Sequence, residues 1–248
     1  MRIQVVSDVH LEMRPPAFSK QLAAELAAAS HGADVLVNSG DTSPNANTRR
    51  LFYLNLAATG AWKHIVVVYG NHDYWHGYHT VDEIETAVPA DLPPNVHILQ
   101  RRSVLLEGVT FLGCTLWSHH LPGLQPWIRD YEKIHLRRRM PLTLADVHTL
   151  HDRDRQWLTT TLPTVQGPRV VVTHHAPSMD LVRFARRPPD LELLSAYYNT
   201  GLDDTVAQAD LWIYGHTHDQ VVDGNRVSNP LGYPGEVTGW GPGLVVDV

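Results

Sequence analysis

Residues 66–75 read VVVYGNHDYW. A short run of strand character enters Gly70, and Asn71, His72 and Asp73 then stand side by side. Alone, the triplet has bland readings. An Asn after Gly commonly makes a turn, and a neighbouring His and Asp satisfy each other on many surfaces. Its meaning rests on whether other strands of the chain end the same way.

They do. Ile3 to Val6 is followed by Ser7, Asp8, Val9 and His10, and Val35 to Val37 by Asn38, Ser39, Gly40 and Asp41, with Asn45 four residues on. Ile65 to Val68 leads into Gly70-Asn71-His72-Asp73. Val170 to Val172 leads into Thr173-His174-His175, and Leu211 to Tyr214 into Gly215-His216-Thr217-His218. Carboxylate, amide and imidazole thus recur behind five strand-like runs. In open α/β sheets, sites form at the carboxyl ends of strands, so these clusters are expected to converge. In extended backbone residues i and i+2 point to one side, which pairs Asp8 with His10 and His216 with His218. The glycines before Asp41, Asn71 and His216 admit tight turns. Mixed oxygen and imidazole donors suit Mn, Fe, Zn or a related divalent ion.

Further runs at Val109 to Leu112 and Leu244 to Val246 complete a set of short β-branched strands, of the type buried on both faces. Helical stretches fall between them at Phe18 to Ala29, with Gly32 as a stop beyond it, at Thr48 to Ala58, and at Thr143 to Leu162. Alternating strands and helices predict an α/β sandwich. Closely spaced strands around Glu107-Gly108 predict a hairpin within Val96 to Leu112, and therefore a mixed sheet. Ser118 to Pro141 and Arg186 to Pro189 read as irregular loops. No repeat or boundary divides residues 1–248, so a single domain is expected.

Bulk composition narrows the partners. With 20 Lys and Arg against 26 Asp and Glu, the net charge of −6 argues against a nonspecific nucleic-acid binder. The basic run Arg137-Arg138-Arg139 reads as the solvated face of a helix. The single cysteine, Cys114, excludes an internal disulfide framework, suits a reducing compartment, and reads as a buried inert thiol. No charged leader precedes the first strand and no apolar run is long enough to span a bilayer, so a cytoplasmic protein without membrane attachment is expected. Sixteen histidines without a tag-like run invite a metal reading.

The ordered set Asp8-x-His10, Gly40-Asp41, Gly70-Asn71-His72-Asp73, Thr173-His174 and Gly215-His216-Thr217-His218 resembles the calcineurin-like metallophosphoesterase family, and its motifs span residues 8–218. The set is specific for the superfamily and uninformative about substrate. The resemblance implies a four-layer αββα sandwich of two mixed β-sheets flanked by helices, with two divalent metal ions. Asp8, His10 and His218 would bind one ion, Asn71, His174 and His216 the other, and Asp41 would bridge them. His174 is favoured over His175 because it comes first after the strand, although His175, ahead of Ala176-Pro177, is the alternative. A metal-bridged hydroxide would attack phosphorus in line. His72 would protonate or stabilise the leaving oxygen, held by Asp73.

The substrate would be a small phosphorylated molecule, a phosphomonoester or a phosphodiester. The alternatives are a nuclease, a nucleotide pyrophosphatase, and a protein-binding scaffold on the same fold. A scaffold has no need to keep all seven ligands together with His72. Trp117, His119, His120, Arg129, Asp130 and Tyr131 lie in the irregular segment after Cys114. Of these, Trp117, Arg129 and Tyr131, with His175, are candidate substrate contacts, because Arg and aromatics hold phosphates and stack bases. The competing expectation is that Trp117 and Trp127 simply anchor the loop. The turn-rich tail Val227 to Glu236 is expected to return to the sheet and line the rim of the site.

Overall fold

The computed structural model describes residues 1–76, 78–181, 195–199 and 201–248. The expected loop Arg186 to Pro189 lies outside them. Thirteen strands are described: β1 Arg2–Val6, β2 Val35–Asn38, β3 His64–Val67, β4 Val96–Ile98, β5 Arg102–Leu106, β6 Val109–Cys114, β7 His135–Arg137, β8 Met140–Pro141, β9 Arg169–Thr173, β10 Leu211–Tyr214, β11 Val221–Asp223, β12 Arg226–Ser228 and β13 Val245–Asp247. The helices that matter here are α1 Phe18–Ala28, α2 Ala46–Ala58, α3 Val81–Thr86, α4 Asp130–Lys133 and α5 Leu144–Thr161.

The first sheet runs β13-β1-β2-β3-β4 and the second β11-β12-β10-β9-β6-β5. β1 to β4 are parallel while β13 joins β1 antiparallel. In the second sheet β12, β10, β9 and β6 pair in parallel, and β11 and β5 close its edges antiparallel. Both sheets are therefore mixed.

Strand alternation assigns the faces. Ile3, Val5, Val35, Val37 and Val66 share a buried core with Phe111, Val170, Val172 and Ile213, which packs the two sheets face to face. The opposite face of the first sheet, through Val6, Leu36, Ile65 and Val67, meets Leu22 and Leu26 of α1 and Phe52 and Leu56 of α2. The outer face of the second sheet, through Leu112, Val171 and Trp212, meets Leu158 of α5 and Leu162. The layers are helix, sheet, sheet and helix, as the resemblance implied. Burial at about 25 cal/mol per Å² of apolar surface holds them together.

Local signals set the element ends. Asn45 caps α2, its side chain accepting the Thr48 N–H at 3.0 Å, which starts that helix two residues before Thr48. Thr143 and Asp146 form a capping box at α5. Glu107 and Gly108, at φ 47° and 88°, make the tight turn between β5 and β6. The arginine run is not helical: β7 and β8 form a hairpin there, with Arg137 paired to Asp146 and Arg138 to Glu83. Cys114 is buried, and burial pushes its thiol well above the ordinary range. Among the described residues no helix is long and apolar enough to cross a membrane.

Candidate metal centre

The five polar strand ends meet where β1, β2, β3, β9 and β10 finish. Backbone bonds tie the loops together. The Asp8 N–H donates to the Gly40 carbonyl at 2.9 Å, His10 N–H to Asp41 at 3.0 Å, and Gly215 N–H to His174 at 2.9 Å. Two of the motif glycines serve close approach rather than turning. Gly70 is extended at φ −97°, and a Cβ there would sit 2.6 Å from the Asp41 nitrogen and from His174 Cε1. A Cβ on Gly215 would lie 2.7 Å from Asp8 Oδ2.

The pairing of i with i+2 also has a different cause from the extended backbone expected. Asp8, His10, Asp41, His216 and His218 all occupy the left-handed region, at φ 52°, 45°, 55°, 67° and 53°. Such conformations cost non-glycine residues on the order of 1–3 kcal/mol each, and they persist only where surrounding structure over-determines them.

Two nests result. In the first, His10 Nε2 and His218 Nε2 are 3.1 Å apart, His218 Nε2 is 3.3 Å from Asp8 Oδ1, and His10 Nε2 is 3.8 Å from Asp41 Oδ2. In the second, His174 Nε2 lies 3.0 Å from Asn71 Oδ1, 3.2 Å from His216 Nδ1 and 3.4 Å from Asp41 Oδ1. All seven expected ligands are therefore brought together. His174 and not His175 faces the centre. His175 is 1% exposed, and its Nδ1 lies 3.4 Å from the Thr115 carbonyl.

The outer atoms of these side chains are occupied. His10 Nδ1 meets Glu12 Oε1 at 3.1 Å, His218 Nδ1 meets Glu236 Oε2 at 2.7 Å, and His174 Nδ1 meets the Ser39 carbonyl at 2.9 Å. Asn71 donates its amide to both oxygens of Asp130, at 3.0 and 3.2 Å, leaving its oxygen to face inward. Carboxylate and carbonyl oxygens only accept, so each tied Nδ1 carries a hydrogen, and it is the neutral form of each ring that turns an Nε2 lone pair inward. The Nε2 atoms of His10 and His218 face each other at 3.1 Å. Buried donors arranged this way fit a cation, and imidazoles backed by carboxylates are the usual support of a bound metal.

The charge pattern agrees. Burial opposes ionisation of Asp41, but the imidazoles of His174, His72 and His10 outweigh it and hold this carboxyl well below the usual range. Asp8 is likewise lowered by His218 and His174 against burial. Burial also opposes charge on His174, yet Asp41 and Asp8 push that imidazole up to about 9. His216 is driven well below the usual value by burial and by its imidazole neighbours.

His72 stands beside both nests, its N–H donating to Asp41 Oδ1 at 2.8 Å. Its Nδ1 meets Glu12 Oε1 at 3.1 Å and its Nε2 meets the Tyr233 hydroxyl at 3.2 Å. Trp75 stacks on its ring at 3.6 Å. Burial works against charge on His72, but Asp41, Glu12 and Asp130 raise its pKa.

The expectation that Asp73 holds His72 is not met. Asp73 accepts the backbone N–H groups of Thr42, Ser43 and Gly70, at 3.0, 2.9 and 2.8 Å, and so clamps the Asp41 loop to the Asn71 loop. Two candidate substrate contacts also move into the core. Trp117 is 1% exposed and packs against Tyr74, while Tyr131 is 5% exposed and bonds His120 Nδ1 at 2.9 Å. Arg129 is exposed, with its guanidinium over the Trp75 ring at 5.3 Å, one ring removed from His72. Sequence reasoning missed Glu12, and it placed Asp130 in the pocket segment and Glu236 on the rim without foreseeing that they back Asn71 and His218. The rim expected of Val227 to Glu236 is supplied by Tyr233, 4.4 Å from the His10 ring and 4.9 Å from that of His218.

Comparison with known proteins follows the same lines. The family described as calcineurin-like phosphoesterase matches residues 1–220. A protein of Acanthamoeba polyphaga mimivirus, described as uncharacterized, is 25% identical over 206 residues, covering 74% of this chain and 73% of its own. The crystal structure of phosphopantetheinyl hydrolase from Mycobacterium tuberculosis superposes with a TM-score of 0.61 at 16% identity, over 94% of this chain and 89% of that one. A dimetal phosphatase from Danio rerio aligns over 94% and 87% of the two chains at 13% identity, with a TM-score of 0.46.

Proposed function

This chain belongs to the calcineurin-like phosphoesterase family, and from that premise we propose that it hydrolyses a phosphomonoester or phosphodiester bond of a small substrate at a dinuclear metal centre. The observation that carries the reading is the placement of Asp41. Its Oδ2 faces the nest of His10, and its Oδ1 faces the nest of His174. A carboxylate shared in this way is what a bridging ligand requires.

Asp8, His10 and His218 would hold one ion, and Asn71, His174 and His216 the other. Two divalent cations there would supply Lewis acidity toward a phosphoryl group and lower the pKa of bound water. The chain's own residues do the rest. Asp8 and Asp41 supply negative charge that offsets part of the cationic charge. The loop clamp at Asp73 keeps Asn71 and Asp41 in register. His72 gives the Nε2 proton to the leaving oxygen as the ester P–O bond breaks and its electron pair passes to that oxygen, while water's oxygen becomes bonded to phosphorus. Arg129, with no carboxylate partner among the described residues, is suited to an anionic part of the substrate.

The test is elemental analysis after reconstitution with Mn, Fe or Zn, followed by assay against phosphomonoesters, phosphodiesters, nucleotides and pyrophosphates. The expected result is close to two ions per chain, with metal-dependent hydrolysis of an ester. Folded protein that takes up no divalent ion under any condition would sink the reading.

A further inference from the structure

Glu12 lies in the short 3-10 turn Leu11–Met13, directly after His10. Leu11 is 6% exposed and pins the turn to the core, and Arg14 ties its far end to the carbonyls of Val9 and Gly232, at 3.0 and 2.6 Å. The Glu12 side chain is only 19% exposed. One of its oxygens, Oε1, is 3.1 Å from His10 Nδ1 and 3.1 Å from His72 Nδ1. The two rings meet edge to face with centroids 4.6 Å apart.

We propose that Glu12 is the positioning residue of the site, a single carboxylate oxygen that fixes the tautomers of His10 and His72 together. The proposal rests on the phosphoesterase reading above for its catalytic consequence, and on the geometry alone for its structural part. An ionised carboxylate has no hydrogen to donate, so both Nδ1 atoms must carry theirs. Each Nε2 is thereby aimed away from Glu12. That of His10 enters the first nest, toward His218 and Asp41. That of His72 emerges beside the Tyr233 hydroxyl, on the side a leaving group would occupy. Asp73 cannot share this task, because its oxygens are taken by three backbone donors. Which nitrogen of an imidazole faces the reaction is set by the bond the other one makes. Glu12 sets it for a metal ligand and for the proton donor at once.

The decisive measurement is long-range nitrogen–proton NMR on the metal-free protein labelled with 15N-histidine, at alkaline pH where His72 is neutral. Signals are assigned with His10→Gln and His72→Gln. In the unaltered protein His10 and His72 are expected in the Nδ1–H form. In Glu12→Ala both should lose that preference, and in Glu12→Gln, whose amide oxygen still accepts, the preference should return. Glu12→Met, of similar reach and without an acceptor, stands in if the alanine variant does not fold. In metal titrations Glu12→Ala should weaken one of two binding steps about 10–100-fold and spare the other. On an alkyl phosphate its kcat should fall about 10–100-fold with little change in KM. Unchanged tautomers in the alanine or methionine variant overturn the proposal, and so does failure of Glu12→Gln to restore them. If the unaltered protein bound metal but cleaved no ester, the phosphoesterase reading would fail, while the spectra would still judge Glu12.

Discussion

Placing one methyl group at Gly70 probes the metal centre without replacing a ligand. The residue is extended, at φ −97° and ψ 177°, so alanine meets no backbone strain. The new Cβ would lie 2.6 Å from the Asp41 nitrogen and from His174 Cε1, and closest of all to Asp41 Oδ1. The nitrogen is backbone and cannot swing aside, so the loop carrying Asp41 or the ring of His174 has to move. Overpacking of this kind costs about 1–3 kcal/mol. Loss of glycine's freedom in the unfolded chain returns about 0.4–1 kcal/mol. Gly70→Ala should therefore lower the stability of the metal-free protein by roughly 1–2 kcal/mol. It should also weaken metal uptake at the second nest. Gly241→Ala is the control, because a Cβ there meets nothing within 4 Å and its φ is not positive. Urea unfolding of the metal-free proteins, metal content after reconstitution and ester hydrolysis are measured for both variants. If Gly70→Ala matches Gly241→Ala in all three, the close approach of the two loops is wrong.

His72→Ala should keep nearly full metal content while losing on the order of 10²–10⁴ in rate, more for alkyl phosphates than for p-nitrophenyl esters, whose leaving group departs without a proton. Metal loss in that variant, or equal slowing of both esters, contradicts the donor role. Asp41→Asn should abolish most metal binding, whereas Asn45→Ala, which removes a helix cap, should cost about 1 kcal/mol of stability and leave metal content intact; equal metal loss in the two reverses the assignment. His120 tests acid sensitivity. Burial, with the neighbouring imidazoles of His148, His119 and His151, pushes its pKa from 6.5 down to about 4. A depressed folded value means its contribution is complete above the unfolded pKa of 6.5 and is lost as pH falls toward 4, amounting to about 3 kcal/mol. Urea unfolding across that window should show a shallower pH slope for His120→Asn, and an unchanged slope would refute the assignment.

The frame of this molecule is legible in its sequence because apolar β-branched runs and polar strand ends are local signals. Val35-Leu36-Val37 or Val170-Val171-Val172 admits few readings besides a buried strand. The ligand set is legible for a similar reason, since each member follows its strand within a few residues. What could not be read is everything that depends on a turn's curvature. Asp73 follows His72 in the chain, but the 3-10 turn Asn71–Tyr74 sends its carboxylate back to Thr42, Ser43 and Gly70. The left-handed conformations of His10 and His218 bear no glycine to announce them. Glu12 did offer a clue, an acid two residues beyond a presumed ligand, but only the fold brings the His72 ring to the same oxygen. Trp117 and Tyr131 have the composition of a binding loop and the burial of a core.

The first nest joins Asp8 and His10 to His218, a sequence separation of 208 between the two histidines. Contacts of such separation form only after many intervening loops have closed, which makes them slow to arrive during folding. A chain emerging from synthesis would display the Asp41 and Asn71 loops long before His216 and His218 existed to complete either cluster. Under the proposed function, hydrolysis would therefore be a readout of complete folding. Refolding followed by recovered turnover should lag behind recovery of secondary structure by the time needed to bring the two chain ends together.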